Sequence, residues 1–582
     1  MYSINLRARV ENTAGVLTSS AVQPLVVDTQ TSNALANYVS TPDPSYHWSL
    51  AYQAAGPNDA YQYYVLSMTS QTWRQGDVND PVWDHWMQII VPAGATVSKT
   101  ALLYITGGSN TMSIPTTPDD AMVSTSLTTH TITAELRIVP NESVYFFGEN
   151  PITYRSEDDI IAYTYDQYMK HIGEPGNETW PLLLPMVKSA VRAMDTVQAF
   201  IPQITSGANQ VDNFIVTGYS KRGWTTWLTT AVDDRIIASI PGVFDNPNQG
   251  PQMVHQYEVL GKFSEQVAPY SKMQVFERLK TPEGELLSRI VDPYRYLQNG
   301  RFEKPKLILN SAGDEFFMPD SSQFYFADLP GTNNYLRYIP NTGHGLDVRA
   351  IQSTITFTDA VINGRQLPKF SWTVEPNGEI HVHTVDTPSQ VLMWQVTNPV
   401  SRDFRHGYNP SLVWTSSVLS DTGDGNYVGS VPYPATGATA FLVELTYPSG
   451  IVGMPYVFTT DVRVNSDLPR TPFPYSADPS AFGDSSSVTS ASLVAMVPED
   501  QGEVAVQVFV LPAQPAVETD EALTSPPGIT TVSPAAGIAS TSTGNTADWS
   551  NGGAIDSSTA NNSSSSGAND AVLDDWPAEL TV

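Results

Sequence analysis

The segment Asn213–Asp234, NFIVTGYSKRGWTTWLTTAVDD, holds the residues best placed to do chemistry. An apolar strand-like run enters Gly218-Tyr219-Ser220-Lys221-Arg222-Gly223 and leaves as a helix-like run with Trp224, Trp227, Leu228 and Val232 as its apolar residues. A serine on such a turn is a candidate nucleophile, because a sharp strand-to-helix bend pushes its hydroxyl clear of the sheet. The strict G-x-S-x-G pattern wants its second glycine where Arg222 stands; here it comes one place later, at Gly223. The motif is therefore a near-match in the right context of strand, turn and helix. Gly218 relieves crowding where the two elements approach. Ser220 is read as the nucleophile, against the plainer reading of a serine in a tight βα turn.

A serine needs a base. His344, in Tyr338-Ile339-Pro340-Asn341-Thr342-Gly343-His344-Gly345-Leu346, follows a strand-like run and stands between glycines. An acid is expected between the two, after another strand, and Leu307-Ile308-Leu309-Asn310-Ser311-Ala312-Gly313-Asp314 supplies one. Asp320 and Asp245 are the runner-up acids. The chain order Ser220, Asp314, His344 is that of an α/β-hydrolase triad. A tetrahedral intermediate needs two N–H donors. The first expected donor is the backbone of Lys221, immediately after the nucleophile. The second is expected from Gly107 or Gly108, in LLYITGGSN after an earlier strand, where paired glycines allow close approach. No metal or organic cofactor is required by this chemistry.

Other candidates are weaker. His381 and His383 would share one strand face, as a metal pair could, but no third ligand is evident and a solvated face is the better reading. Asp421-Thr422-Gly423-Asp424-Gly425-Asn426 lacks the spacing of a calcium loop and reads as a hairpin turn. Glu157-Asp158-Asp159 reads as a helix N-terminus, where negative charge is favoured. Trp83, His85 and Trp86 read as packing rather than pocket.

These residues need a scaffold to bring them together. From about Ala34 to Val361, strand-like runs (Ala101–Ile105, Phe214–Thr217, Ile236–Ile240, Leu307–Leu309) alternate with helix candidates, notably Trp180–Ile201. That alternation predicts an α/β fold, a doubly wound and mostly parallel sheet. From about Lys369 the pattern becomes short and alternating: Phe370–Val374, Ile380–Thr384, Gln390–Val396, Gly429–Pro432 and Ala440–Tyr447. This predicts a small antiparallel, Ig-like β-sandwich. The expected organisation is an extension over 1–30, the α/β region over 31–365, the sandwich over 366–466 and a Pro/Ser/Thr-rich, largely disordered tail over 467–582. Within the tail, Glu503–Leu511 is a lone strand candidate, and Thr524–Ala571 has a composition that cannot support a core.

Composition narrows the functional classes. The 582 residues carry 29 Lys and Arg against 59 Asp and Glu, a net charge of −30, and no cysteine. So acidic a chain is a poor binder of nucleic acid or anionic membranes. Without cysteine, disulfides, thiolate metal sites and thiol catalysis are excluded. No apolar run reaches the roughly 18 residues of a membrane span. The first residues, MYSINLRARVENTAG, lack the apolar core of a secretory signal, so a soluble chain without a classical signal is expected.

The chain resembles the PhoPQ-activated pathogenicity-related protein family, which includes the autocrine proliferation repressor proteins. The resemblance runs from about Ala34 to Val464 and rests on separated motifs in one order: SQTWR, WDHWM, LLYITGGSN, RSEDDIIAYTYD, VTGYSKRGWTTWLT, NTGHGL, WQVTNP and FLVELTYPSG. It implies an α/β-hydrolase fold with a C-terminal β region, and transfers the triad to Ser220, Asp314 and His344. It also implies export, at odds with the missing signal. Asn141, Asn177 and Asn561 would then be glycosylation acceptors in a eukaryotic secretory pathway. Two functions are compatible with this reading. One is a serine hydrolase acting on a small-molecule ester or peptide substrate. The other is a secreted signalling protein that uses the hydrolase scaffold to bind, with a cell-surface receptor as its partner.

Overall fold

The computed structural model describes residues 34–94 and 99–473, together with short strands within residues 2–27 and the strand Ile529–Val532. Between Ala34 and the C-terminal region the described residues hold nine strands: β1 (His47–Ala55), β2 (Tyr61–Thr72), β3 (Val82–Pro92), β4 (Thr100–Ile105), β5 (Thr133–Leu136), β6 (Asn213–Tyr219), β7 (Ile236–Gly242), β8 (Lys306–Ser311) and β9 (Asn334–Ile339). They lie in the order β1-β2-β3-β5-β4-β6-β7-β8-β9. The run from β5 to β9 is parallel throughout. Strands β1 to β3, each antiparallel to the next, continue one edge, where β3 pairs antiparallel to β5. The central strands are covered on both faces, as parallel sheets require; every residue of β4, β8 and β9 is buried, the apolar ones and also Lys306, Asn310, Asn334 and Arg337.

The helices follow from the same pattern. Helix α1 (Ala34–Ser40), α4 (Leu183–Ile204) and α5 (Lys221–Val232) pack together, and α2 (Asp120–Thr129) packs with α10 (Val348–Ile362). The expected helix over Trp180–Ile201 is α4, shifted to Leu183–Ile204, with Pro185 in its first turn, where a missing N–H costs nothing. Helix α3 (Asp158–Lys170) starts directly after Glu157, as the acidic run predicts. Between β7 and β8 the chain leaves the sheet and builds α6 (Gln249–Leu260), α7 (Ala268–Lys272), α8 (Val275–Arg278) and α9 (Pro282–Val291). The last three pack on α3 and cover the C-terminal end of the parallel strands.

The C-terminal strands are β10 (Phe370–Val374), β11 (Ile380–Thr384), β12 (Gln390–Asn398), β13 (Thr415–Val418), β14 (Asn426–Gly429), β15 (Ala438–Tyr447), β16 (Tyr456–Thr459) and β17 (Arg463–Asn465). They form two layers. The first is a small antiparallel sheet of β14, β11 and β10, continued by β18 (Ile529–Val532). The second is β13-β12-β15-β16, which continues the central sheet by pairing β16 antiparallel to β9. The join is narrow: Leu336 faces Thr459, and the Tyr338 N–H donates to Thr459 Oγ1 at 3.0 Å. The two sequence regions therefore share one sheet.

The strand expected at Gly429–Pro432 instead ends at Gly429, because the carboxylate of Asp421 accepts the N–H groups of Gly423, Gly425 and Asn426 and starts the strand straight after that turn. Strand β18 falls inside the segment whose composition predicts disorder; its Ile-Thr-Thr-Val run adds to the open edge of β10. The lone strand expected at Glu503–Leu511 lies outside the described residues, as does Asn561. The other two sequons are buried. The Asn141 amide donates to Asp80 O at 2.9 Å and the Asn177 amide to Tyr168 O at 3.0 Å, so neither is available as a glycan acceptor in the folded chain. No helix among the described residues is long and apolar enough to cross a membrane.

Candidate active site

Ser220 stands between β6 and α5 with φ 58° and ψ −127°, a conformation costly for a residue with a side chain. Its neighbours hold it there. The Ser220 N–H donates to Gly242 O at 2.9 Å, and the Trp224 N–H donates to Ser220 O at 3.0 Å. The displaced glycine now has a physical reason. A Cβ on Gly223 would overlap Gly242 O, because α5 crosses β7 at this point. At Gly218 a Cβ would lie 2.7 Å from Arg222 O and 2.9 Å from Ile105 O. Arg222 fits where the strict motif has glycine because its side chain leads away from the strand. Its guanidinium donates to Val139 O, and to Glu157 Oε1 at 2.6 Å.

The three residues expected to act together do meet. His344 Nε2 lies 2.9 Å from Ser220 Oγ, and His344 Nδ1 lies 2.9 Å from each carboxylate oxygen of Asp314. A carboxylate only accepts, so Nδ1 carries the proton and Nε2 is left to accept the serine O–H. Asp314 is buried and also accepts the N–H of Phe316 at 2.7 Å and of Phe317 at 3.2 Å. The Phe316 ring lies 4.1 Å from the imidazole, centroid to centroid, and covers it.

Both runner-up acids are committed elsewhere. Asp245 accepts the hydroxyls of Tyr325 and Tyr338, each at 2.6 Å, and its burial pushes its carboxyl well above the usual range. Asp320 pairs with His255 at 2.9 Å. His381 and His383 point from an exposed strand face towards Glu379 and Asn426, and no cluster among the described residues could hold a metal ion. His85 is a core residue, bonded to Ser70 Oγ and Arg137 O.

Residues without a legible motif complete the site. The first is Glu315: its carboxylate accepts the His344 N–H at 2.7 Å and the Gly407 N–H at 2.6 Å, while the His406 N–H donates to Gly313 O at 2.8 Å. Asn341 exchanges two hydrogen bonds with the backbone of Trp414, at 3.0 and 2.7 Å. The loop over residues 402–414, from the antiparallel region, thus braces both the acid and the base. The second is the acidic run before α3. Lys221 Nζ lies 2.6 Å from Glu157 Oε2 and 3.1 Å from Asp158 Oδ2, and the Tyr270 hydroxyl donates to Asp158 Oδ1 at 2.8 Å. Burial works against a charge at Glu157, but Arg222 and Lys221 outweigh it and hold that carboxyl below its ordinary range. Adjacent Glu142, which accepts the Glu157 N–H at 2.6 Å, is pushed up to about 9 by burial and then by the Glu157 charge.

Ser220 opens onto a cleft walled largely by aromatic and aliphatic side chains, including Trp224, Phe244, Phe316, Phe317 and Tyr270. Trp224 and Phe244 stack at 4.6 Å and 17°. Lys221 lines this cleft beside the serine. Gly107 and Gly108 leave the sheet next to it, since Ile105 of β4 is in register with Gly218 of β6. Gly107 O is tied to the Ile138 N–H at 2.8 Å, and Gly108 has φ 122°, open to glycine alone.

The sequence profile of the PhoPQ-activated pathogenicity-related protein family matches residues 35–405, the span that contains all three residues of the hydrogen-bonded set. Autocrine proliferation repressor protein A of Dictyostelium discoideum is 34% identical over 496 residues, covering 80% of this chain and 96% of that protein. The chain belongs to the PhoPQ-activated pathogenicity-related protein family. Among solved structures, an acetyl xylan esterase from Paenibacillus sp. R4 is similar at 14% identity and a TM-score of 0.40, over 58% of this chain and 96% of that one. A glucuronoyl esterase from Solibacter usitatus is similar at 10% identity and a TM-score of 0.35, over 60% and 96%. The resemblance read from separated motifs is thus shown for the family, and the strand order agrees with the α/β-hydrolase fold it implies. In this member of the PhoPQ-related family, the C-terminal β region adds to that fold by extending its sheet and bracing its loops.

Proposed function

We propose that the protein is a serine hydrolase that cleaves an ester or peptide-like amide through an acyl-enzyme. Ser220 Oγ attacks the carbonyl carbon while His344 Nε2 takes its proton, and Asp314 orients the imidazole and balances the positive charge it acquires. The oxyanion is held by the Lys221 N–H and an N–H of the Gly107–Gly108 loop. His344 returns the proton to the departing alcohol or amine, and the cycle repeats with water to release the acid. The observation that carries this reading is the unbroken hydrogen-bond chain from Asp314 through His344 to a serine held on a left-handed turn at the mouth of a cleft. The ion pairs of Lys221 and Arg222 with Glu157 support it further, since they fix the first turn of α5, where one oxyanion donor is needed.

The test is pre-steady-state hydrolysis of p-nitrophenyl esters. The expected result is a burst of one p-nitrophenolate per chain in the wild type, absent from Ser220→Ala and from His344→Ala. A folded wild type with neither burst nor turnover on short, long and aromatic esters would contradict it.

One observation favours a second reading. The relative at 34% identity is named for repressing proliferation, not for a reaction. On that reading the protein is secreted and binds a cell-surface receptor, with the hydrolase scaffold as a recognition surface. Loss of the growth effect in Ser220→Ala argues for hydrolysis; its retention argues for binding.

A further inference from the structure

The wall of the cleft beside Ser220 is a belt of rings in contact with one another. Phe276 of α8 stacks on Tyr270 of α7 with centroids 5.6 Å apart, and Tyr270 meets Tyr165 at 6.4 Å. Tyr165 meets Trp224 at 6.0 Å, Trp224 stacks on Phe244 at 4.6 Å, and Phe244 meets Phe317 edge-on at 5.8 Å. Phe317 lies against Phe316, whose ring covers His344. The belt therefore runs without a break from α8 to the imidazole that serves the serine.

Hydrogen bonds between remote parts of the chain hold the belt in shape. The Gln256 carboxamide of α6 donates to Phe316 O at 2.6 Å and accepts the Ser264 N–H at 2.9 Å. The Ser264 hydroxyl donates to Glu315 O at 2.5 Å. The segment that leads into α7 and α8 is thereby tied to the loop that follows Asp314. On the opposite side, Trp224 Nε1 donates to Val291 O at 2.5 Å.

Charge at this cleft is already spent internally. Lys221 Nζ lies 2.6 Å from Glu157 Oε2 and 3.1 Å from Asp158 Oδ2, and Asp158 also accepts the Tyr270 hydroxyl. The other polar side chains of the wall, Tyr165, Asn246 and Gln249, are buried and neutral. An anion in the cleft would meet Asp158 and a cation would meet Lys221. Either would give up its water for aromatic faces, with no counter-ion left over among the described residues of the wall. An aromatic face attracts a cation, but here the Lys221 ammonium lines the same wall and repels one.

Resting on the hydrolase reading, we infer that the cleft selects esters or amides of uncharged, apolar acids. The acyl group is the part of the substrate that stays bonded to Ser220 Oγ between the two half-reactions, so the cleft onto which that serine opens is the part of the protein that holds it. Aliphatic chains and rings gain from burial against the belt. Acids that carry an ammonium, a carboxylate or a sulfonate gain nothing that offsets their lost hydration.

Three p-nitrophenyl esters whose acyl chains end in the same tetrahedral shape separate charge from size: the 5,5-dimethylhexanoate, which ends in tert-butyl, the 4-(trimethylammonio)butanoate and the 4-sulfobutanoate. In the wild type, kcat/KM for the tert-butyl ester is expected to exceed that for each charged ester by at least about tenfold. A sulfonate placed on the nitrophenol instead of on the acyl chain is expected to change kcat/KM less than about threefold. Phe276→Lys, at the end of the belt remote from His344, is expected to shift the ratio of neutral to sulfonate ester at least about tenfold towards the sulfonate. Calorimetric titration of full-length Ser220→Ala, which leaves the esters intact, is expected to give the same order of binding. Equal or faster cleavage of either charged ester overturns the inference. So do a leaving-group sulfonate that costs as much as an acyl one, an unchanged ratio in folded Phe276→Lys, and a folded Ser220→Ala that binds none of the esters. If the wild type cleaves none of them while Ser220→Ala binds the tert-butyl ester with the stated preference, the hydrolase reading fails and the assignment of the cleft stands.

Discussion

Among the described residues, two serine–histidine pairs have the same spacing and different surroundings. In one, His344 Nε2 lies 2.9 Å from Ser220 Oγ. In the other, His85 Nε2 lies 2.9 Å from Ser70 Oγ. Both imidazoles have a partner at Nδ1, 2.9 Å away, that fixes the same tautomer. Behind His344 that partner is the Asp314 carboxylate; behind His85 it is the Arg137 carbonyl. A base that takes a proton in a reaction must carry the charge, and only the carboxylate offsets a full positive charge in a site shielded from water. Burial holds His85 down to about 4, so it is neutral at physiological pH. Ser70 is fully buried, at the break in register between Thr69 and Gln71 of β2, and also bonds Ser189 Oγ at 3.0 Å, whereas Ser220 is part-exposed on a left-handed turn above a cleft. Distance alone does not make a nucleophile; the anion behind the base and the opening in front of the serine do.

Removing the two serines should separate the pairs most widely. Ser220→Ala is expected to lower ester turnover by about 10⁵-fold or more, the scale of losing a triad nucleophile. Ser70→Ala is expected to change kcat/KM less than about threefold while lowering the unfolding midpoint in urea, since it leaves His85 short of a donor. Removing the anion comes next. Asp314→Asn should cost roughly 10⁴-fold in kcat by favouring the wrong tautomer of His344, with KM little changed.

The buried pair should report on pH instead of on rate. His85 in the unfolded chain takes up a proton below its ordinary 6.5, while the folded chain resists until about 4. Its contribution is therefore complete above about 6.5 and is lost as pH falls towards 4, a change of about 3 kcal/mol for one fully buried imidazole. Urea unfolding at pH 7 and pH 4.5 should show this loss in the wild type and a smaller one in His85→Asn.

The smallest expected effect falls on the brace. Glu315→Gln keeps the length of the side chain but removes the charge that receives the N–H groups of His344 and Gly407. A fall in kcat of about tenfold with unchanged KM is expected from a positioning role. An equal change in Tm without a change in kcat would show that the contact is structural only.

Much of this site was readable in the sequence because its signals are local. A strand, a turn and a helix around Ser220, a strand and a small-residue turn before Asp314, and a strand followed by glycines around His344 each lie within about ten residues. The chain order then assigns their roles. The displaced Gly223 was readable as a deviation, but its reason, the close pass of Gly242 O, needs the neighbouring strand. Glu315 carries no local signal and Glu157 only that of a helix start; neither announces a place in the site, and only folding brings Glu315 to Gly407 or Glu157 to Lys221. The join of β16 to β9 was hidden for the same reason, since Leu336 and Thr459 are remote in sequence and share no pattern. The alternation of β12 and β15 announced antiparallel strands correctly, but nothing in it says which sheet they enter.

The most direct measurement is to label the full-length protein with a fluorophosphonate and map the adduct by mass spectrometry. The account predicts one phosphonylated residue, Ser220, with no adduct at Ser70 and no labelling after His344→Ala. An unlabelled, folded protein, or an adduct on any other serine, would contradict it.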